Sequence, residues 1–94
     1  MAPSFDPSQF DEVLNSHKIV IFTLSYCPYC KKAKEYLNEK GVSYYNVELD
    51  SLDNQPMISS FLKYKTGSSK YPKTYINGQL VGGLKRLKTF GESE

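Results

Sequence analysis

The 94-residue chain has no tryptophan, one histidine, two cysteines and a net charge of only +2. Its longest apolar stretch, Ile19 to Leu24, falls far short of the roughly 20 residues a membrane-spanning helix needs, so no membrane role is expected. A zinc site needs about four ligands; beside Cys27 and Cys30 the sequence offers His17 and no second Cys-x-x-Cys, so no metal is expected. Ninety-four residues make one small core, with no room for a flavin or nicotinamide domain. No bound cofactor is expected, and electrons must come from a diffusing thiol or a partner protein. Near the N-terminus stand Pro3, Asp6 and Pro7 rather than a basic stretch with an apolar core. A secretory signal is therefore not expected, and a reducing, cytoplasmic setting is. The small net charge argues against nucleic acid as a partner, and the lysines read as an ordinary surface with local basic spots.

What the chain does have is Cys27-Pro28-Tyr29-Cys30, straight after the apolar run and straight before the helix-like stretch from Lys31 to Lys40. Strand, Cys-x-x-Cys, helix is the setting of a redox-active dithiol. Only a thiolate attacks a disulfide, and the unpaired amides and positive dipole end of a helix's first turn stabilise that anion. Cys27 is therefore the expected nucleophile. Cys30 lies one turn on, within reach of the Cys27 sulfur, and is the expected resolving thiol. Pro28 suits a first helical turn because it has no donor to satisfy and its φ is preset. Lys31, Lys32 and Lys34 add solvated positive charge around that turn. A structural disulfide is the weaker reading, since so short a loop contributes little chain-entropy stabilisation.

The remaining pattern alternates helix and strand. Asp6, Pro7 and Gln9 form a capping-box signature for a first helix, with Phe5 and Phe10 as a hydrophobic staple and Val13 and Leu14 on the apolar face. His17 closes that helix. Lys18 to Leu24 reads as a central strand buried on both faces. Gly41 ends the second helix, and Val42 to Leu49 forms a second strand in which Tyr45 and Val47 alternate with Asn46 and Glu48. Strand, helix and strand imply a right-handed parallel crossover. A third helix starts near Asn54, buries Ile58, Phe61 and Leu62, and stops at Gly67. Lys73 to Ile76, Asn77-Gly78 and Gln79 to Val81 make a hairpin with a type I′ turn, and Leu84 to Phe90 forms a last helix after Gly82-Gly83.

Cys27-Pro28-Tyr29-Cys30, Pro72 just before a strand, Tyr75-Ile76-Asn77-Gly78 and Gly82-Gly83 together resemble the two-cysteine glutaredoxins, over about Lys18 to Leu87. The resemblance implies a single glutaredoxin-like domain over residues 1–94. It implies the thioredoxin-like α/β fold, a four-stranded mixed sheet flanked by helices on both faces, with the site at the carboxyl end of the first strand. It implies a monomeric thiol–disulfide oxidoreductase that takes electrons from glutathione or a related small thiol and acts on disulfide-containing proteins. By the same resemblance Cys27 forms the mixed disulfide with glutathione, and Cys30 resolves it. Tyr29 lines the groove, Pro72 matches the family's cis-proline and leaves the Tyr71 backbone free to pair with substrate, and Gly82 and Gly83 let the last helix present its amides to a carboxylate.

The departures concern charge. Leu24 stands where the family usually carries a cation for the glycyl carboxylate, with Lys70 as a stand-in from the other side of the groove. Lys70-Tyr71 replaces the usual Thr-Val before the proline. Lys85 and Arg86 match positions where a small polar residue and an aspartate normally meet the ligand's ammonium. This reversal should remove a charge-assisted hydrogen bond worth on the order of 1.5–3 kcal/mol when desolvated, less when screened. The expectation is retained dithiol chemistry with weakened glutathione affinity, or preference for another anionic thiol or an acidic protein segment. Two alternatives accompany it: a thioredoxin-like reductant served by a reductase protein, and a non-enzymatic module binding an acidic partner or an iron–sulfur cluster. Pro28 and Tyr29 stiffen the turn and disfavour the cluster.

Overall fold

Five consecutive buried residues, Ile19–Thr23, form β1, and the rest of the molecule is arranged around them. In the computed structural model, which describes residues 5–93, β1 pairs in parallel with β2 (Tyr45–Glu48) and antiparallel with β3 (Lys73–Ile76). β4 (Gln79–Gly82) pairs antiparallel with β3, so the mixed sheet runs β2-β1-β3-β4. Alternate residues of β1 feed two cores, because successive strand side chains point to opposite faces. On one face Val20 and Phe22 join Phe10 and Leu14 of α1 (Phe10–Ser16) and Ile58 and Leu62 of α3 (Gln55–Thr66). On the other, Ile19 and Ile21 meet Ala33 and Leu37 of α2 (Pro28–Glu39) and Leu87 of α4 (Leu84–Ser93). Fully buried Phe22 is surrounded by the rings of Phe5, Phe10 and Tyr75 at centroid distances of 5.9, 6.0 and 5.9 Å. Burying such a side chain stabilises the fold by roughly 1.5–3 kcal/mol. Among the described residues no helix is long and apolar enough to cross a membrane.

Local chemistry sets where each element stops. α2 ends in a Schellman motif: Gly41 adopts φ +69°, its amide bonds the Asn38 carbonyl, and the Val42 amide bonds that of Leu37. Gly67 ends α3 at φ +72°. Asn77 and Gly78 take φ of 53° and 79°, the two positive values a type I′ turn requires.

Several details differ from the sequence expectation or lie beyond it. The first helix opens as a 3-10 turn over Pro7–Gln9, in which the Asp6 carboxylate accepts from the Ser8 amide at 3.0 Å; no bond from the Gln9 side chain completes a capping box. Strand β2 keeps only Tyr45–Glu48, because β1 offers partners only to that span, and Leu49 enters a 3-10 turn. Tyr45 is not buried with Val47: on this edge strand its exposed ring stacks on His17, 4.4 Å between centroids. The last helix runs past Phe90 to Ser93. Asn54 precedes α3 but its side chain makes no cap bond; it exchanges two bonds with the Phe5 backbone instead, tying the N-terminal segment down.

Thr74 is fully buried in β3 with no hydrogen-bond partner for its hydroxyl among the described residues. An unpaired buried hydroxyl carries a desolvation penalty, and valine keeps its shape and β-branching. Thr74→Val is expected to stabilise the protein by about 1 kcal/mol, raising Tm by roughly 4–8 °C by circular dichroism. A lowered Tm would show that the hydroxyl is satisfied.

Candidate active site

β1 ends at Thr23, and the chain that leaves it is pinned from below before it reaches the first cysteine. Ser25 gives its backbone amide to Oδ1 of Asp50 at 2.9 Å and its hydroxyl to Oδ2. Asp50 sits in the 3-10 turn after β2, and these bonds hold its carboxyl below the usual aspartate range. The clamp ties the end of β2 to the loop Leu24 to Cys27, a role the sequence gave no local signal for. The Cys27 amide then closes the loop onto the Leu24 carbonyl at 3.2 Å.

Cys27 is the N-cap of α2, with Pro28 at the first helical position. Its Sγ accepts from the Cys30 amide at 3.3 Å and, as a thiol, donates toward the Tyr71 carbonyl at 3.8 Å. Both cysteines are free. Their surroundings differ sharply within one turn: Cys27 is half-buried and Cys30 fully buried. Burial, reinforced by the Cys27 side chain, pushes the Cys30 thiol up to about 12. Cys30 therefore keeps its proton at neutral pH, and Cys27 is the sulfur that an outside disulfide can reach. Of the three lysines placed around this turn, Lys34 is paired with Glu48 at 3.5 Å, and the Lys32 ammonium lies 5.9 Å from the Tyr29 ring centre.

Across from the sulfur lies the segment before β3, where the Tyr71–Pro72 peptide bond is cis. Lys73 behind it is 3% exposed. Its ammonium donates to Oγ1 of Thr66 at 3.1 Å and to the Ser68 carbonyl at 2.6 Å, and sits 4.9 Å from the Tyr71 ring centre. Burial lowers its pKa. Lys73 thus fastens the end of α3 to the segment that carries the Tyr71 carbonyl. The sequence reading had it only as the first residue of a strand.

A groove of about 720 Å³ opens beside this pair of segments. It brings together all eight residues expected to bind substrate: Tyr29, Lys70, Tyr71, Pro72, Gly82, Gly83, Lys85 and Arg86. Lys73, Lys88, Leu80 and Thr66 also line it, which the sequence reading missed. Of the two glycines only Gly82 is required as glycine, with φ +119° and a would-be Cβ 2.9 Å from Cδ of Arg86; a Cβ on Gly83 would make ordinary contact with the Pro72 carbonyl at 3.8 Å. The Gly83 carbonyl accepts from the Leu87 amide at 2.9 Å and so opens α4. Leu24 lies elsewhere, in a depression of about 290 Å³ with Tyr26, Lys63 and Tyr71. The cation that shares Leu24's depression is therefore Lys63, whereas Lys70 belongs to the groove of Lys85 and Arg86.

The burial of Cys30 sets an order of reactivity. Unfolded cysteine ionises near 9.0, whereas Cys30 holds its proton to about 12. The folded state binds more protons across that interval, so Cys30 makes stability fall as pH rises from about 9 toward 12. Iodoacetamide on the reduced native protein is expected to label Cys27 alone up to pH 9, and both cysteines in denaturant, as read by peptide mass mapping. Equal labelling of both in the native protein would contradict the burial argument.

The family model for glutaredoxin matches residues 19–81, which spans β1, both cysteines and most of the hairpin. Glutaredoxin-C4 of Arabidopsis thaliana is 44% identical over 72 residues, 77% of this chain and 53% of that protein, so the chain spans about half the length of this curated relative. Two solved structures share the fold over nearly all of the chain. The holo form of glutaredoxin C1 from Populus tremula x tremuloides has a TM-score of 0.84 at 31% identity, covering 94% of this chain and 87% of that one. The buckwheat glutaredoxin–glutathione complex has a TM-score of 0.86 at 26% identity, covering 93% and 79%. With the family model matched over about two thirds of its length, both cysteines included, the chain belongs to the glutaredoxin family.

Proposed function

We propose that the protein is a thiol–disulfide oxidoreductase that uses Cys27 as nucleophile and Cys30 as resolving thiol, drawing electrons from glutathione or a related small thiol. The observation that carries this reading is the contrast between an accessible Cys27 sulfur at the start of a helix and a buried Cys30 one turn behind it. The Cys27 thiolate attacks one sulfur of a substrate disulfide. A new S–S bond forms, the old one breaks, and the leaving sulfur departs as a thiolate. In a dithiol cycle Cys30 then attacks the Cys27 sulfur, its proton passing to the second departing thiolate, and Cys27 and Cys30 are left oxidised. Two molecules of small thiol supply the two electrons that reduce them. The Cys27 hydrogen bond and charge contribute to holding the Cys30 proton in the reduced pair, and both change once Cys27 is bonded to another sulfur. Burial, the larger cause, persists, so Cys30 gives up its proton only as it attacks.

In a monothiol cycle a small thiol attacks the outer sulfur of the mixed disulfide and releases Cys27 directly. Glutathione as the reductant is supported by the fold shared with the buckwheat protein, whose structure is a complex with glutathione. On this reading the main chain at Tyr71, whose carbonyl faces the sulfur, lies along the ligand, and Tyr29 and Pro72 form the groove floor and wall. Lys85 and Arg86 attract carboxylates there and repel the ammonium of the γ-glutamyl group, which weakens glutathione relative to ligands that carry only negative charge. The setting proposed for this chemistry is the cytoplasm, with the protein acting as a monomer.

Two variants test the assignment. Cys27→Ser is expected to bring reduction of hydroxyethyl disulfide by glutathione down to background. Cys30→Ser is expected to keep that monothiol turnover while losing dithiothreitol-driven reduction of insulin. Retained activity in Cys27→Ser would overturn the roles assigned to the pair. A high KM for glutathione in the wild type is the expected signature of Lys85 and Arg86.

A further inference from the structure

From residue 54 to residue 91 the sequence contains no aspartate or glutamate, but six lysines and one arginine. The preceding 53 residues carry eight acidic side chains against five lysines. The modest net charge of the chain therefore hides a polarised molecule. The fold gathers five of those seven cations around one groove: Lys70, Lys73, Lys85, Arg86 and Lys88, and among the described residues no carboxylate lines it. Lys73 is buried and its ammonium is bonded to Thr66 and Ser68, so it contributes field rather than a contact. The other four are exposed, and among the described residues the one ion pair is Lys34–Glu48, on another part of the surface. Lys85 and Arg86 also line an adjoining depression of about 920 Å³ along β4, where Leu80 is 44% exposed. The positive strip thus starts beside the Tyr71 carbonyl, next to the Cys27 sulfur, and continues past the hairpin edge.

We infer that this strip docks an acidic stretch of polypeptide that flanks the disulfide being reduced. The inference rests on the oxidoreductase reading above and specifies its protein substrates. A polypeptide fits because the occupant must deliver a sulfur to Cys27 and also follow an open groove with an apolar residue, Leu80, between cations. A nucleic acid supplies charge but no sulfur. Unpaired cations lining one cleft raise the local concentration of an anionic partner and speed its encounter, by 10- to 1,000-fold in steered associations, and salt suppresses the effect.

The test is a single turnover without added reductant, so that the Cys27/Cys30 pair itself supplies the two electrons. Reduced protein is mixed with one of two peptides that share the same internal disulfide, flanked in one by Asp and Glu and in the other by Asn and Gln. Oxidation of the pair is followed by quenching and mass spectrometry. At low salt the acidic peptide is expected to react roughly 10-fold faster or more, with the advantage falling away above about 0.5 M salt. The double substitution Lys70→Gln and Lys85→Gln is expected to shrink the ratio of the two rates toward one. Equal rates for the two peptides in the wild type would overturn the docking proposal and leave the dithiol chemistry standing. A ratio that ignores both salt and the double substitution would also overturn it, as would stronger competition by single-stranded RNA than by polyglutamate of equal charge. Failure of both peptides to oxidise the pair would overturn the oxidoreductase reading and the docking proposal with it.

Discussion

Because β1 is buried on both faces, its register cannot slip by one residue without driving Val20 and Phe22 out of one core and Ile19 and Ile21 out of the other. That constraint decides where the chain emerges from the sheet, and therefore where Cys27 meets the start of α2. β3 is held to the same strand through pairs such as Val20 with Tyr75 and Phe22 with Lys73. The Tyr71–Pro72 segment, which immediately precedes β3, is thereby delivered opposite the sulfur. The 3.8 Å contact in which Cys27 Sγ donates toward the Tyr71 carbonyl, between residues 44 positions apart, is thus set up by strand pairing. The Ser25–Asp50 clamp and the Lys73 anchor then fix the two flanking loops, one on each side of the sulfur.

The same geometry separates two chemically identical side chains. Cys27 caps a helix and is partly exposed, whereas Cys30, one turn along, is fully buried. Burial alone disfavours a charged sulfur, so the pair is ordered by environment before any substrate arrives. The contributions of Cys27 to the high Cys30 pKa depend on a free Cys27 sulfur, and a mixed disulfide alters them. On the proposed function, nucleophile and resolving thiol thus follow from solvent access to one helical turn.

Much of this was legible in the sequence because the signals are local. The β-branched run gives β1, Cys27-Pro28 gives the start of α2, Asn77-Gly78 gives the hairpin, and Gly41 and Gly67 give two helix ends. The eight groove residues came from the family resemblance and do line one groove. What the sequence concealed is pairing between distant segments. Nothing near Asp50 announces that it holds Ser25, and nothing near Asn54 announces that it holds Phe5. Lys73 reads as a polar residue in a strand until Thr66 and Ser68 are seen to receive its ammonium in the interior. Tyr45 alternates in step with Val47, but on edge strand β2 the core covers their face only at Val47, and the Tyr45 ring stacks on His17 instead. Lys63 came to share Leu24's depression for the same reason: it belongs to α3, far along the chain, and only packing sets it there.

Charge shows the widest gap between composition and structure. A net charge of +2 suggests a surface without electrostatic preference, and it would be one if the signs were mixed in space. They are not, since the acid-free segment takes in the whole of α3, the hairpin and α4 up to residue 91, and the end of α3, the hairpin and the first part of α4 together wall the groove. Five cations in a cleft walled by protein repel one another, and with no carboxylate among the described residues of the lining their repulsion is a standing cost to the fold. A ligand that brings both signs, as an amino acid with a free ammonium does, relieves that cost only in part. A ligand that brings carboxylates alone relieves more of it. On the proposed function, the groove would discriminate by the sign and density of charge along its occupant, while the chemistry at Cys27 would ask only for a disulfide.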